Sequence, residues 1–125
     1  MSAEPLNHAA VFARLAQMLA ARKDADPASS YVAKLFAKAP DAALKKVGEE
    51  TAEFIMACKD CERAVHAETL ASADDRERVV KEAADVWFHM LVAMARYGIS
   101  GDDVLSELAR REGLSGIEET ASRPK

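Results

Sequence analysis

Residues 83–95 read AADVWFHMLVAMA, a stretch in which only Asp85 and His89 are polar. The spacing predicts a helix, and a helix that is apolar on nearly every side is expected to be buried. Asp85 and His89 lie four positions apart on one edge of it, with Glu82 one turn before Asp85 on the same edge. A buried carboxylate is costly unless it is paired, protonated or bound to a cation. This edge therefore requires a partner elsewhere in the chain.

KKVGEETAEF, from Lys45, supplies the candidates Lys45, Lys46, Glu49, Glu50 and Glu53. At about 100° per residue, Glu50 and Glu53 lie about 60° apart, as do Glu82 and Asp85, so each helix offers two carboxylates to one site. Hard oxygen ligands in that number suit Mg²⁺ or Mn²⁺ rather than zinc. A solvated helix face is the alternative for Glu49, Glu50 and Glu53, and a weaker one for Glu82 and Asp85 in their apolar surroundings. A di-iron centre would use Glu-x-x-His on facing helices. None of the three histidines, His8, His66 and His89, has a glutamate three residues before it.

Outward from these two helices the pattern stays helical. Leu6, Val11, Phe12, Leu15, Met18 and Leu19 form one stripe, and Asp24 to Ser30 reads as a loop around Pro27. A short helix over Tyr31 to Ala37 ends before Pro40, and Asp41 is the expected N-cap of the next, whose face carries Leu44, Val47, Thr51, Phe54, Ile55 and Cys58. Thr69 to Asp75 reads as a turn, with Asp74 and Glu77 in a capping arrangement. The long helix that follows runs to about Tyr97, where Gly98 stops it. Ser100 or Asp102 starts a last helix through Val104, Leu105, Leu108 and Arg111, ended by Gly113, and a polar tail covers 114–125. There is no strand pattern, Gly-rich phosphate loop or internal repeat. The expectation is one all-α domain over 1–125, a small bundle with two long central helices.

Composition agrees. The 125 residues are 50% apolar and 30% charged, with 5 Gly and 4 Pro, which excludes a disordered linker and favours helices. Alanine supplies about a fifth of the chain, well above ordinary usage. Lys plus Arg number 17 against 21 Asp plus Glu, a net charge of -4, which argues against nucleic acid or an anionic membrane as partner. Met1 to Ala20 lacks a basic start, and Glu4, Asn7, His8, Arg14 and Gln17 interrupt any apolar run, so a cytoplasmic location is expected. Cys58 and Cys61 have C-x-x-C spacing. Alone they are half a zinc site, with His66 the other soft ligand nearby, and the βαβ setting of a thiol oxidoreductase is missing.

SYVAKLF from Ser30, KKVGEETAEF from Lys45, EAADVWFHMLV from Glu82 and RREGLSGIEETASR from Arg110 together resemble the phosphoribosyl-ATP pyrophosphatase family, in order and over nearly the whole chain. The acidic core, Glu49-Glu50-x-x-Glu53 then Glu82-x-x-Asp85, is shared with the wider MazG-like all-α nucleoside triphosphate pyrophosphohydrolases; the SYVAKLF and SGIEETASR segments narrow the match. The resemblance implies Mg²⁺-dependent hydrolysis of phosphoribosyl-ATP to phosphoribosyl-AMP and pyrophosphate, the second step of histidine biosynthesis, by a homodimer. It implies that Glu49, Glu50, Glu53, Glu82 and Asp85 hold metal and activate water. Divalent cations would reconcile an acidic cluster with a polyphosphate and polarise its phosphoryl oxygens, with one glutamate, not identified by spacing, as general base.

The basic and aromatic residues divide the rest of the substrate. Lys45 and Lys46 sit one turn before the acids and suit phosphate oxygens, while Arg110, Arg111 and Arg123 suit the second ribose phosphate. Each is also readable as a surface charge. Tyr31 and Lys34 are candidates for base or phosphate contact, and His89 for substrate or for a hydrogen bond to a ligating carboxylate. Tyr31 also fits a lid over the loop, and His89 a satisfied buried histidine.

Two features depart from the resemblance. Thr120 stands where a lysine is expected, and the CKDCERAVHAETLASADD region lengthens the path between Glu53 and Glu82. Helix through Thr69 would put Glu53 about 24 Å from the turn and Glu82 only about 12 Å, so an early helix end, a long loop or an overhang is predicted. Trp87, Phe88, Met90 and Met94 read as core or dimer interface. Two other functions fit much of the pattern: a general house-cleaning nucleoside triphosphate pyrophosphohydrolase, and a non-catalytic helical dimerisation module.

Overall fold

The computed structural model describes residues 7–66 and 72–113. Among them the chain is all-α. A 3₁₀ turn over His8–Ala10 leads into α1 (Val11–Arg22), followed by α2 (Tyr31–Ala37), α3 (Asp41–His66), α4 (Ala73–Ala95) and α5 (Gly101–Arg111). Leu6, residues 67–71, which include the start of the turn expected from Thr69, and the tail with Thr120 and Arg123 lie outside the described residues.

α3 and α4 form the principal helix pair. Asp60 meets Arg78, and Glu50 and Glu53 meet Glu82, so partners descend along α3 as they ascend along α4, in an antiparallel hairpin. α3 is described as far as His66, and the expectation for the stretch from there through Thr69 lies outside the described residues. Along the described helices Glu53 is about 20 Å from His66 and Glu82 about 14 Å from Ala73. Glu50 and Glu53 nevertheless stand level with Glu82 across the hairpin.

The helix ends follow local chemistry. Ser30 Oγ accepts from the Ala33 N–H at 3.1 Å to start α2. Ser72 caps α4, accepting from the Asp75 N–H at 3.0 Å, so this helix starts before the expected Asp74. Of the two candidates for α5, Ser100 is the cap, in a reciprocal box with Asp103. Asp41 is already inside α3, whose first bonds reach back to Lys38 and Pro40, so its role is the first helical turn rather than the cap. Gly98, at φ 71°, closes α4 as expected: its N–H bonds the Ala95 carbonyl and the Ile99 N–H bonds that of Met94.

The core joins Leu19 of α1, Val32 and Leu35 of α2, Ala43 of α3, and Leu91 and Val92 of α4. Two expectations about helix faces need correction. On α3 the buried residues are Ala43, Glu50 and Ala57, with Val47 and Phe54 half-buried, whereas Leu44 and Ile55 are exposed. The small alanines bring α3 close to its neighbours, and the carboxylate of Glu50 sits within the buried stripe. On α4, Trp87 is 61% exposed and Met90 40%, so that helix is not buried on every side within one chain. No helix among the described residues is long and apolar enough to cross a membrane.

Candidate active site

The hairpin brings together carboxylates that are far apart in sequence. One oxygen each from Glu50, Glu53 and Glu82 can be chosen so that all three lie within 4.8 Å of one another. Glu50 is buried, Glu82 half-buried and Glu53 exposed, so the cluster runs from the helix interface to solvent. Glu50 Oε2 and Glu82 Oε2 are buried and have no hydrogen-bond partner. Orphaned carboxylate oxygens on facing helices are costly, and a divalent cation with its preference for oxygen ligands fits that donor set.

The other two acids stand apart from this trio. Glu49 is exposed and pairs with Lys46 at 3.4 Å and Lys45 at 3.8 Å. Lys46 also reaches Glu50 Oε1 at 3.5 Å, so it neutralises the oxygen of Glu50 that is not orphaned. The bond to Glu49 is the main cause that raises the Lys46 pKa above its ordinary value. Asp85 is exposed, one turn after Glu82, and its side chain is not in the trio.

α2 closes over the same region. Tyr31 Oη lies 2.7 Å from His89 Nε2, and His89 Nδ1 lies 2.7 Å from the backbone carbonyl of Asp85. A carbonyl only accepts, so Nδ1 carries the hydrogen, and in the neutral ring Nε2 accepts from the Tyr31 hydroxyl. His89, 5% exposed, is therefore satisfied on both sides and pins the start of α2 to α4. Partial burial raises the Tyr31 pKa; Lys46 opposes this, and the charges of Glu50, Asp85 and Glu49 add to it. Tyr31 thus stands near the acids, bonded to His89.

A basic groove adjoins the carboxylates. Lys34 from α2 and Lys38, the C-cap that follows it, with Asp41, Lys45, Lys46 and Glu49 from α3, line a cavity of about 610 Å³. Lys38 was not among the residues expected from the sequence, although its place four residues after Lys34 puts both on one side of the chain.

The arginines lie elsewhere. Arg110 and Arg111 both bond Glu107 on their own helix, and α5 packs mainly on α1. The bonds from Arg110, and then that from Arg111, hold the Glu107 carboxyl down at about 2. Arg123 is outside the described residues. Cys58 and Cys61 are free, half-buried thiols, and no cluster of three ligating side chains among the described residues includes them.

Fold and site together place the chain among the all-α, cation-dependent pyrophosphohydrolases: a helical hairpin that gathers carboxylates from both arms beside a row of lysines. The chain belongs to the phosphoribosyl-ATP pyrophosphohydrolase family, whose profile matches residues 12–112. It is 50% identical over 118 residues to a phosphoribosyl-ATP pyrophosphatase of Bordetella parapertussis, covering 92% of this chain and 91% of that protein. Similar proteins of the same name occur in Nitrosomonas eutropha, 51% identical over 113 residues (90% of this chain, 86% of that protein), and Cupriavidus metallidurans, 51% identical over 121 (94% and 95%).

Proposed function

We propose that this chain hydrolyses phosphoribosyl-ATP to phosphoribosyl-AMP and pyrophosphate, the second step of histidine biosynthesis. The observation that carries the reading is the facing trio Glu50, Glu53 and Glu82 with its two orphaned oxygens, in a chain of this family. Those three residues would hold Mg²⁺, or Mn²⁺ in its place, with Glu49 and Asp85 at the edge of the same site. When bound, the cation supplies Lewis-acid polarisation of the phosphoryl oxygens and offsets the negative charge of the polyphosphate.

The chain's own groups do the rest. Water adds to phosphorus, the bond between the α and β phosphates breaks, and one carboxylate of the set accepts the proton that water gives up. Lys46, at hydrogen-bonding distance from Glu49 and Glu50, is placed to shift its bonds to phosphate oxygens, with Lys45 and Lys34 beside it. Tyr31 and His89 hold α2 against α4, so the wall of the site is fixed before substrate arrives. Arg110 and Arg123 remain candidates for the second phosphate.

A homodimer is part of the proposal. Trp87, Met90, Leu105 and Leu108 are exposed in the single chain and, with Phe12 and Met94, line an apolar groove of about 250 Å³ that a second copy would cover. The reaction is placed in the cytoplasm, where free Cys58 and Cys61 would persist as thiols.

Pyrophosphate release from phosphoribosyl-ATP, with Mg²⁺ and with a chelator, tests the reading. Release that needs the cation and is nearly abolished in folded Glu53→Ala and Asp85→Ala supports it. Preference for dATP, dCTP or dUTP over phosphoribosyl-ATP would favour a house-cleaning enzyme instead. If Mg²⁺ plus nucleotide leaves the melting temperature unchanged, the non-catalytic module gains, because a ligand specific for the folded state stabilises it.

A further inference from the structure

The substrate in the reading above carries phosphate on two arms, the polyphosphate and a phosphomonoester on a separate ribose; the inference that follows rests on that reading. The cationic groove between α2 and α3 bears on the second arm. Four lysines surround it, with Asp41 and Glu49 as its acids. Lys45 and Lys46 are paired with Glu49. Among the described residues the ammonium groups of Lys34 and Lys38 have no carboxylate partner.

Lys34 and the C-cap Lys38 line one groove, so an anion held between them would offset the repulsion of the two like charges. The C-terminal end of α2 favours a nearby cation, which accounts for one such lysine but not for four around one groove. Lys46 and Glu49 belong both to the groove and to the edge of the carboxylate cluster, so a molecule with its polyphosphate at the acids can extend directly into the lysines. Arg110 and Arg111, by contrast, are engaged with Glu107 on a helix that packs against α1.

We propose that Lys38 and Lys34, with Lys45 beside them, bind the phosphomonoester of the substrate's second ribose. The groove thereby selects a nucleotide with two phosphorylated arms over a simple nucleoside triphosphate. Lys38 is a binding residue in this account, and its work lies in affinity.

Ribose 5-phosphate, added with a chelator so that the carboxylates carry no cation, is the direct probe. It is expected to shift the backbone amide resonances of residues 34–46 in the wild type and to bind Lys38→Ala about tenfold more weakly, the usual weight of a charge-assisted hydrogen bond. Turnover of phosphoribosyl-ATP by Lys38→Ala should lose about tenfold, with the loss falling on KM rather than kcat, and Lys38→Arg should recover much of it. Equal affinity of wild type and Lys38→Ala for ribose 5-phosphate, or an unchanged KM, would overturn the assignment. So would a loss confined to kcat with pyrophosphate as the tighter ligand of the groove, since the lysines would then hold the polyphosphate. Ribose 5-phosphate binding that depends on Lys38 in a protein without phosphoribosyl-ATP turnover would sink the proposed reaction and leave the phosphate groove standing.

Discussion

Glu50 on α3 and Glu82 on α4 each direct a buried carboxylate oxygen into the hairpin where it finds no hydrogen bond, and oxygens of both lie within 4.8 Å of one another and of Glu53. Charges so placed repel in the free protein and become ligands once a cation arrives. Glu82→Gln is nearly isosteric and removes one of them. In the presence of a chelator it should raise the melting temperature by a few degrees, for a gain of about 1–2 kcal/mol. With saturating Mg²⁺ the order should reverse, because the wild type is stabilised by the cation and the variant far less. Thermal melts in both conditions decide it; a variant less stable than the wild type in chelator would show that no repulsion is stored between these helices.

Asp60 bonds Arg78 across the hairpin and Arg63 on its own helix. The bond to Arg78, and then that to Arg63, hold the Asp60 carboxyl below its ordinary 3.8. A depressed folded pKa gives stability that is complete above the unfolded value and is lost as the pH falls through the folded one. Acid unfolding of the wild type should therefore steepen below about pH 4, and Asp60→Asn should lack that increment while matching the wild type's slope nearer neutrality. Superimposable acid profiles would mean that solvent screens the pair to no effect.

The helices and their order were legible because periodicity and the stop at Gly98 are local signals, whereas the caps at Ser30 and Ser72 were passed over, the latter for Asp74. The rotation of α3 was not legible either. Counting apolar residues selects Leu44, Val47, Thr51, Phe54, Ile55 and Cys58, whereas the face that packs centres on Ala43, Val47, Glu50, Phe54 and Ala57, with Leu44 and Ile55 exposed. A buried glutamate inside the packed stripe is missed by an apolar count, and alanine packs closely where leucine would hold the helices apart. The exposure of Trp87 was hidden for a related reason: hydropathy marks a surface to be covered without saying whether this chain or another covers it. Lys38 escaped notice because its meaning depends on α3 folding back beside α2.

Gly101 opens α5 against α1. A Cβ built there would stand 2.6 Å from Phe12 Cγ and 2.8 Å from Cδ1, closer than packed atoms tolerate. The ring of Phe12 also lies 6.4 Å from that of Trp87, so it cannot yield without disturbing the α1–α4 contact. Gly101→Ala should cost about 1–3 kcal/mol. Adding Phe12→Leu should make the alanine better tolerated, which a double-mutant cycle by denaturant unfolding measures; full additivity would refute the clash.

Trp87 presents the largest apolar side chain on the surface of α4, 61% exposed and continuous with exposed Met90, Leu105 and Leu108. Aromatic residues of this kind, at the centre of an apolar patch, dominate the energy of the interfaces they enter. Since Trp87 is largely free of its own chain, Trp87→Asp should leave the helices folded by circular dichroism while adding an unpaired charge to the surface that a second copy must bury. A cost of about 2 kcal/mol or more would weaken association roughly 30-fold. Sedimentation should find the wild type dimeric at micromolar concentration and the variant displaced towards monomer. A wild type that sediments as a monomer, or a variant that dimerises as tightly, would locate the purpose of this groove in something other than pairing two copies of the chain.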